Sequence, residues 1–194
     1  MVWIDCEMTG LDTINDALIE VAALVTDSDL NILGDGVDLV IRPPEEALEQ
    51  MTDFVRAMHV ESGLLDVLEQ GTTLEDAQAQ VLAYIKEWAP EGGKAPLAGN
   101  TVSTDRVFLA RDMPELERHL HYRIVDVSSI KELSRRWFPR AYFSSPNKTG
   151  GHRALGDIQD SINELRYYRE AVFQEQPGLE TAALREISAK ITDC

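Results

Sequence analysis

Basic residues are scarce in the first half of this 194-residue chain, and cysteine is scarce throughout. Residues 1–100 hold 4 Lys and Arg against 20 Asp and Glu, whereas residues 101–194 hold 14 of each, so the net charge of −16 belongs to the first half. Such a chain is a poor candidate for non-specific duplex binding, which depends on Lys and Arg displacing counterions. A nuclease is not excluded, because metal ions can supply the positive charge.

The two cysteines, Cys6 and Cys194, cannot form a disulfide framework, and no Cys-x-x-Cys pair or Cys/His cluster indicates zinc. Two free thiols in a reducing cytoplasm are therefore expected. There is no recognisable signal peptide and no apolar run of about 18 residues, so no membrane segment is expected. With 44% hydrophobic and 27% charged residues, the sequence predicts one globular domain over residues 1–194.

Runs of apolar and β-branched residues alternate with amphipathic runs along the chain. The former predict strands at residues 2–8, 19–27, 36–44, 96–100 and 122–127. The latter predict short helices within 45–70, longer helices at 72–88, 104–113, 113–120, 128–138 and 152–173, and a C-terminal helix at 177–191. Residues 139–151 are predicted to be a polar loop. This order indicates an α/β fold with a mixed five-stranded sheet, a three-strand antiparallel meander plus two crossover strands, flanked by helices.

Asp5 and Glu7 stand two residues apart in the first predicted strand, so their carboxylates point to the same face. Neighbouring carboxylates in an otherwise apolar strand repel each other, and without a cation one of them would protonate. A hard divalent ion such as Mg²⁺ or Mn²⁺ prefers oxygen ligands and removes this conflict. The competing interpretation is a solvated edge strand with an acidic face, because D-x-E is a common pattern.

Three further residues could complete such a site. Asp105 follows the fourth predicted strand near the start of a helix, Asp157 lies in the first turns of the long helix, and His152 precedes it by five residues. A helix-terminal acid, a solvated acidic stripe and a loop histidine are the respective alternatives. Because these elements can converge at one end of a sheet, the sequence predicts a two-metal site for phosphodiester hydrolysis, with a histidine that can take a proton from water.

Three stretches, residues 3–12, 99–133 and 152–169, resemble the oligoribonuclease family, which belongs to the DEDDh group of 3′-to-5′ exonucleases with a ribonuclease H-like fold. The resemblance covers nearly the whole chain. Its motifs are D-x-E in the first strand, N-x(4)-D ending at Asp105 and H-x(4)-D from His152 to Asp157. The related DEDDy group would have tyrosine at position 153, where this chain has arginine.

The resemblance implies that Asp5, Glu7, Asp105 and Asp157 hold two Mg²⁺ or Mn²⁺ ions and that His152 is the general base.

It also implies how the RNA bases are held. Leu11 and Phe54 would sandwich the terminal bases, with phenylalanine where related sequences often have tryptophan. His59 and Thr101 would lie near the substrate, with threonine where serine is usual. On local grounds alone, Leu11 and Phe54 could equally be core residues, and His59 is expected to have a surface or packing role.

The resemblance further implies that Arg123, Ser128 and Ser129 bind the 5′ phosphate. Tyr122 would reach that pocket from the second subunit of a homodimer and take part in catalysis. Local chemistry supports this pocket, because arginine binds phosphate through paired hydrogen bonds and the two serines open a predicted helix with free N–H groups. Strand-edge packing of Tyr122 and Arg123, and ordinary helix capping by Ser128, are the alternatives.

The expected function is a metal-dependent 3′-to-5′ exoribonuclease that degrades very short single-stranded RNA, down to dinucleotides, to mononucleotides. One alternative is a DEDDh exonuclease for DNA ends or longer RNA, which should lack the phosphate pocket. Another is a nucleotide-binding module without hydrolysis, which should have lost a metal ligand or the histidine. An aspartyl-phosphate phosphatase is disfavoured, because Glu7 replaces the second aspartate of its D-x-D pair.

The distribution of charge favours a short substrate. Residues 121–153 hold seven Lys and Arg and only two Asp and Glu, so a basic segment lies inside an acidic chain. This segment contains the predicted phosphate pocket and the loop that leads to His152. The overall acidity argues against tracking along long polyanions, whereas the basic segment suits a short RNA held at one end.

Overall fold

The computed structural model describes residues 1–149 and 151–192. Its strands form one sheet in the order β3-β2-β1-β4-β5. They are β1 Val2–Met8, β2 Leu18–Thr26, β3 Ile32–Val40, β4 Pro96–Gly99 and β5 His121–Asp126. The first three pair in antiparallel fashion, whereas β4 is parallel to both β1 and β5. The predicted mixed sheet, a meander followed by two crossover strands, is confirmed.

The helices cover both faces of this sheet. Those that the structure describes are α1 Glu45–Glu49, α2 Asp53–Glu61, a 3-10 helix Leu65–Gln70, α3 Leu74–Trp88, α4 Ser103–Asp112, α5 Pro114–His119, α6 Val127–Trp137, α7 Pro139–Phe143, α8 Ala154–Val172 and α9 Thr181–Thr192. None of them is both long enough and apolar enough to cross a membrane.

The central strand β1 divides the core into two layers. Ile4 packs into one layer with side chains of α3, α4 and α5, whereas Trp3 packs into the other with Ile158 of α8. Successive side chains of a strand point to opposite faces, so Asp5 and Glu7 share the face of Trp3. The alternation therefore directs both carboxylates toward α8.

The third strand differs from its prediction, because it occupies Ile32–Val40 and not residues 36–44. Its ladder with β2 is irregular and includes Gly34 and Gly36, whose φ angles are 71° and 82°. Glycine adopts positive φ at little cost, so the strand can pass through these two positions. Beyond Val40, the Ile41 N–H donates to the Ile19 carbonyl oxygen at 2.9 Å, and Ile41 makes an isolated bridge to Thr72.

The stretch predicted as a loop at 139–151 is also partly wrong, because α7 covers Pro139–Phe143. Proline lacks an N–H and has a fixed φ, both of which suit the first position of a helix. Gly150 and Cys194 lie outside the described residues. The other cysteine, Cys6, is a buried free thiol.

Candidate active site

The two carboxylates of β1 lie near the carboxyl end of the central strand. Glu7 is buried, with 8% of its surface exposed, and Asp5 is partly buried. β1 pairs with β2 on one side and β4 on the other, so the alternative of an exposed edge strand is wrong. Burial together with the charges of Asp105, Glu7 and Asp157 raises the pKa of Asp5 from 3.8 to about 9.

Asp105 is fixed directly to β1. It lies in the first turn of α4, is 6% exposed, and its Oδ1 accepts a hydrogen bond of 3.0 Å from the Cys6 backbone N–H, between the two strand carboxylates. Burial raises the pKa of Asp105 to about 6, and the backbone hydrogen bond from Cys6 opposes this rise. Asp105 therefore does more than stabilise the start of α4, because its carboxylate also contacts the neighbouring strand.

Asp157 and His152 approach Glu7 from α8 and the residues before it. Asp157 lies in the first turn of α8, and His152 lies two residues before the helix with a φ of 59°. A potential ligand atom of each of the three side chains lies within 4.8 Å of the others. Of the four predicted metal ligands, Glu7 and Asp157 belong to this close group with His152. Asp5 lies on the same face of β1 as Glu7, and Asp105 contacts the Cys6 N–H between them.

This donor set fits a divalent cation. Burial, followed by the charge of Glu20, raises the pKa of Glu7 from 4.5 to about 8, and burial also raises the pKa of Asp157. Carboxylates whose charged forms are so disfavoured need a positive partner to stay ionised near neutral pH. Oxygen-rich clusters of this kind are the usual environment of hard divalent ions.

Lys148 is a nearby positive charge that the sequence did not single out. It lies between α7 and α8, and its charge lowers the pKa of both Asp5 and Asp157 against the larger effect of burial. In the sequence, the one indication of this effect is that Lys148 stands four residues before His152, and an ordinary surface lysine could stand there as well.

A second residue missed in the sequence is Glu20, which lies opposite Glu7 on β2 and is fully buried. Its carboxylate accepts hydrogen bonds of 2.7 Å from Arg153 Nε and 2.9 Å from the Ala154 backbone N–H, and Arg153 Nη2 lies 2.6 Å away. Glu20 therefore holds the start of α8, immediately after His152. In the sequence, Glu20 could have been noticed as the single acidic residue of an otherwise apolar strand.

His59 lies against Glu7, so of the surface and packing roles expected on local grounds its position fits packing, and its place near the substrate stays a prediction. It is fully buried in α2, and its Nε2 lies 2.9 Å from the Met8 carbonyl oxygen. A carbonyl can only accept, so Nε2 carries the proton and Nδ1 presents a lone pair, 4.0 Å from Glu7 Oε2. Burial lowers the pKa of His59, which favours this neutral form.

The two residues expected to stack on bases are exposed. Leu11, in the loop between β1 and β2, is 71% exposed, and Phe54, in the first turn of α2, is 79% exposed. The alternative that they are core residues is therefore wrong. Large apolar side chains with this much exposure are available to a ligand.

Thr101 and Ser128 are joined in a polar cluster at the carboxyl ends of β4 and β5. Their hydroxyl oxygens lie 3.2 Å apart, and Ser128 Oγ donates to Asn100 Oδ1 at 2.9 Å. The Thr101 N–H donates to Asp126 Oδ1 at 3.0 Å, and the Ser128 N–H donates to the same oxygen at 2.9 Å. The structure thus brings Thr101, expected near the substrate, into contact with Ser128, expected in the phosphate pocket.

The cap of α6 differs from the expectation, because it is Asp126 and not Ser128. The carboxylate of Asp126 already accepts a hydrogen bond from the N–H of Ser128, the second residue of the helix. The Ser128 N–H is therefore not free to bind an anion. Ser129 is exposed on the next position of α6.

Tyr122 and Arg123 lie at the start of β5, away from the cluster of Thr101 and Ser128. Tyr122 is 74% exposed and stacks on the His121 ring, with centroids 4.4 Å apart. The Arg123 guanidinium carbon lies 5.4 Å from the centroid of the Tyr122 ring. Arg123 stands three residues before the end of β5 at Asp126, whereas Ser128 lies in the first turn of α6.

Comparison with known proteins defines the class first. A family model described as Exonuclease, RNase T, matches residues 2–165, which include every predicted metal ligand and His152. Escherichia coli exonuclease I in complex with a dT13 oligonucleotide superposes with a TM-score of 0.67 at 14% identity, over 88% of this chain and 41% of that one. An exonuclease I from Methylocaldum szegediense gives a TM-score of 0.61 at 19% identity, over 88% of this chain and 40% of that one. At such identities the likeness shows the fold, which is ribonuclease H-like.

Closer relatives define the family. The oligoribonuclease of Streptomyces griseus is 69% identical over 99% of this chain and 96% of its own length. Those of Cutibacterium acnes and Mycobacterium bovis are 62% and 56% identical, over 98% and 100% of this chain and over 94% and 90% of their own lengths. This chain therefore belongs to the oligoribonuclease family, an exonuclease family whose activity depends on divalent metal.

Proposed function

We propose that this chain is a 3′-to-5′ exoribonuclease that degrades very short single-stranded RNA, down to dinucleotides, to mononucleotides with the help of two Mg²⁺ or Mn²⁺ ions. The observation that carries the proposal is the convergence of Glu7, His152 and Asp157 within 4.8 Å at the carboxyl end of β1. A site built at this place from β1, α4 and α8 suits hydrolysis of a phosphodiester at the end of a strand.

Asp5, Glu7, Asp105 and Asp157 would hold the metal ions. Divalent ions supply positive charge that offsets the charge of the scissile phosphate and lowers the pKa of an attacking water. The chain's own contribution is to hold the carboxylates in place, and the hydrogen bond from the Cys6 N–H to Asp105 does this for α4. The alternation of β1 does the same for Asp5 and Glu7.

His152 would act as the general base. Its side chain is exposed at the edge of the acidic group, so water can reach the ring. An imidazole can take a proton from water as the phosphorus–oxygen bond forms, and can pass it to solvent afterwards. The contact of Glu20 with Arg153 and Ala154 fixes the backbone that follows His152 and limits the positions of the ring.

The 3′ nucleotides would lie between the exposed side chains of Leu11 and Phe54, because an apolar or aromatic face stacks on any base. His59 would lie near the substrate without touching it, because its ring is fully buried and its Nδ1 lies 4.0 Å from Glu7 Oε2. Stacking that tolerates any base fits an enzyme that removes mononucleotides without sequence preference.

The 5′ phosphate would be bound by Arg123, Ser128 and Ser129, with Thr101 near the substrate and Tyr122 contributed by the second subunit of a homodimer. The Tyr122 side chain is 74% exposed, so it is available to a second subunit. A partner surface is also available, because Leu133, Trp137, Phe138 and Phe173 line an exposed apolar groove on α6 and the end of α8. We place the enzyme in the reducing cytoplasm, which the free thiol of Cys6 supports.

The test is a length series of 5′-labelled RNAs from two to twenty nucleotides, each with Mg²⁺, Mn²⁺ or a chelator. We expect the dinucleotide to be cleaved fastest, because longer RNA would collide with the residues that bind its 5′ phosphate. Equal turnover of the dinucleotide and the 20-mer would contradict the proposal and favour an exonuclease for longer RNA or DNA ends.

Two variants separate hydrolysis from binding. Asp157→Ala should abolish metal-dependent cleavage, whereas Glu170→Gln, which removes an exposed acid at the other end of the same helix, should not change it. If both variants cleave as the unmodified protein does, the acidic group is not the hydrolytic site. Binding of a dinucleotide without cleavage by the unmodified protein would identify a binding module instead.

A further inference from the structure

The start of β5 departs from regular pairing with β4. Pro96 pairs with His121, but Leu97, the next residue of β4, pairs with Ile124. Tyr122 and Arg123 therefore have no partner in the ladder, and their side chains are both exposed. Extra residues of this kind form a bulge, which redirects side chains and leaves backbone groups without their usual partners. We call residues 121–123 the β5 bulge.

Arg106 supplies the missing hydrogen bonds. Its Nη1 donates to the carbonyl oxygens of His121 and Tyr122, at 3.1 and 3.0 Å. On the other side of the guanidinium, Nε and Nη2 donate to Glu117 Oε1 at 3.1 and 2.7 Å. The side chains of Arg106 and Glu117 are only 18% and 25% exposed, so the arrangement is mostly shielded from water. The planar guanidinium fixes the direction of all four hydrogen bonds together.

The same bulge presents the two side chains expected at the 5′ end of the RNA. His121, Tyr122 and Arg123 form a stack, and the Arg123 N–H donates to His121 Nδ1 at 3.0 Å. This stack has its backbone anchored at two consecutive carbonyls by Arg106. Without that anchor, the unpaired segment would be free to change its backbone angles, and both side chains would move with it.

We propose that Arg106, oriented by Glu117, is a positioning residue that fixes the β5 bulge and thereby directs Arg123 toward the 5′ phosphate bound by its own subunit and Tyr122 toward the 5′ phosphate bound by the partner subunit. The proposal rests on the function proposed above, because it takes the 5′ phosphate as the ligand of these side chains. The hydrogen bonds of the Arg106 side chain go to Glu117 and to the two carbonyls of the bulge, so Arg106 would act through the bulge and not by binding RNA.

A purely structural role for Arg106 and a positioning role would affect the kinetics differently. If the Arg106–Glu117 pair only held α4 against α5, its loss would lower the activity on every substrate in the same proportion. A positioning role would raise KM selectively for a substrate that carries a 5′ phosphate. The test therefore compares a diguanylate dinucleotide with and without its 5′ phosphate, in steady-state kinetics with saturating Mg²⁺.

We expect Arg106→Ala to raise KM for the phosphorylated dinucleotide about tenfold and to change KM for the unphosphorylated one less than about twofold. Arg106→Lys keeps the charge but cannot contact Glu117 and two carbonyls together, so a rise of about threefold is expected. Arg106→Lys also serves as the test if Arg106→Ala does not fold. Arg166→Ala is the matched control, because Arg166 likewise donates to a side chain and to a distant carbonyl, that of Leu30, and should leave the ratio unchanged.

A combined variant shows whether Arg106 acts through the bulge. In the background of Tyr122→Ala with Arg123→Ala, adding Arg106→Ala should change KM less than about twofold, because the two side chains that Arg106 positions are already absent. Additive effects, an equal loss on both dinucleotides, or an unchanged KM in both Arg106 variants would each overturn the inference. If Tyr122→Ala with Arg123→Ala itself left the preference for the 5′ phosphate unchanged, the proposed 5′ pocket would be wrong, which is a separate result.

Discussion

Replacing Asp5 by asparagine should stabilise the metal-free protein, although it removes a predicted metal ligand. Burial and the charges of Asp105, Glu7 and Asp157 raise the pKa of Asp5 from 3.8 to about 9. Between these two pH values the folded protein holds a proton that the unfolded chain has released. Stability from this source is complete below pH 3.8 and is lost progressively as the pH rises toward 9.

The size of the effect follows from the same pKa. Each pH unit above the ordinary pKa of an aspartate corresponds to about 1.4 kcal/mol, and roughly three such units lie between that pKa and pH 7. Keeping Asp5 protonated at pH 7 therefore costs about 4 kcal/mol as an upper figure. Partial exposure of the carboxylate reduces this, and we expect Asp5→Asn to raise the free energy of unfolding by about 2 kcal/mol.

Urea unfolding at pH 7 in EDTA, and again in excess Mg²⁺, measures this effect. The variant should be more stable than the unmodified protein in EDTA and should gain less from Mg²⁺. Asp27→Asn is the control of opposite sign, because hydrogen bonds from Asn31 lower the pKa of Asp27 and its charged form favours folding. Unfolding of Asp5→Asn at a lower urea concentration than the unmodified protein in EDTA would refute the reasoning.

Three further outcomes are expected. Phe54→Ala should raise KM for a dinucleotide about tenfold and Phe54→Trp should lower it, since stacking contributes about 1–3 kcal/mol per base; identical kinetics for all three proteins would argue against stacking. Glu20→Ala should lower both kcat and the melting temperature, because the buried Ala154 N–H loses its acceptor at a cost of about 1–3 kcal/mol; an unchanged kcat would show that the contact does not position His152. Metal affinity, measured by calorimetry, should rise with pH, because the pKa of Asp105 is raised to about 6 and that of Glu7 to about 8, and both protons must leave before an ion binds; an affinity independent of pH over this range would contradict the raised pKa values.

Much of the fold could be predicted because the chain's periodicity is strong where the core is. β1 is observed at Val2–Met8, as predicted, and the order of strands and helices along the chain is confirmed. The errors fall where short-range signals mislead. The third strand was predicted at residues 36–44 but begins and ends four residues earlier, and a proline and aromatic residues after α6 looked like a loop although they begin a helix.

The site could be predicted in its charged residues but not in its supports. The spacing of Asp5 and Glu7 already fixes a shared face, and the motifs around Asp105 and Asp157 carry a recognisable pattern. The contact of Glu20 with the start of α8 joins residues 134 positions apart, and no local pattern reports such a contact. The β5 bulge depends on the register between two strands, which the sequence of either strand alone does not determine.

The hydrogen bond between the Ala154 N–H and Glu20 also has a consequence for the order in which the protein is made. Strand β1 and its carboxylates leave the ribosome early, whereas α8, with Asp157, follows more than a hundred residues later. A growing chain has no complete acidic group until α8 has been synthesised and has packed onto β1 and β2. The proposed nuclease would therefore have no hydrolytic activity until α8 has packed against β1 and β2.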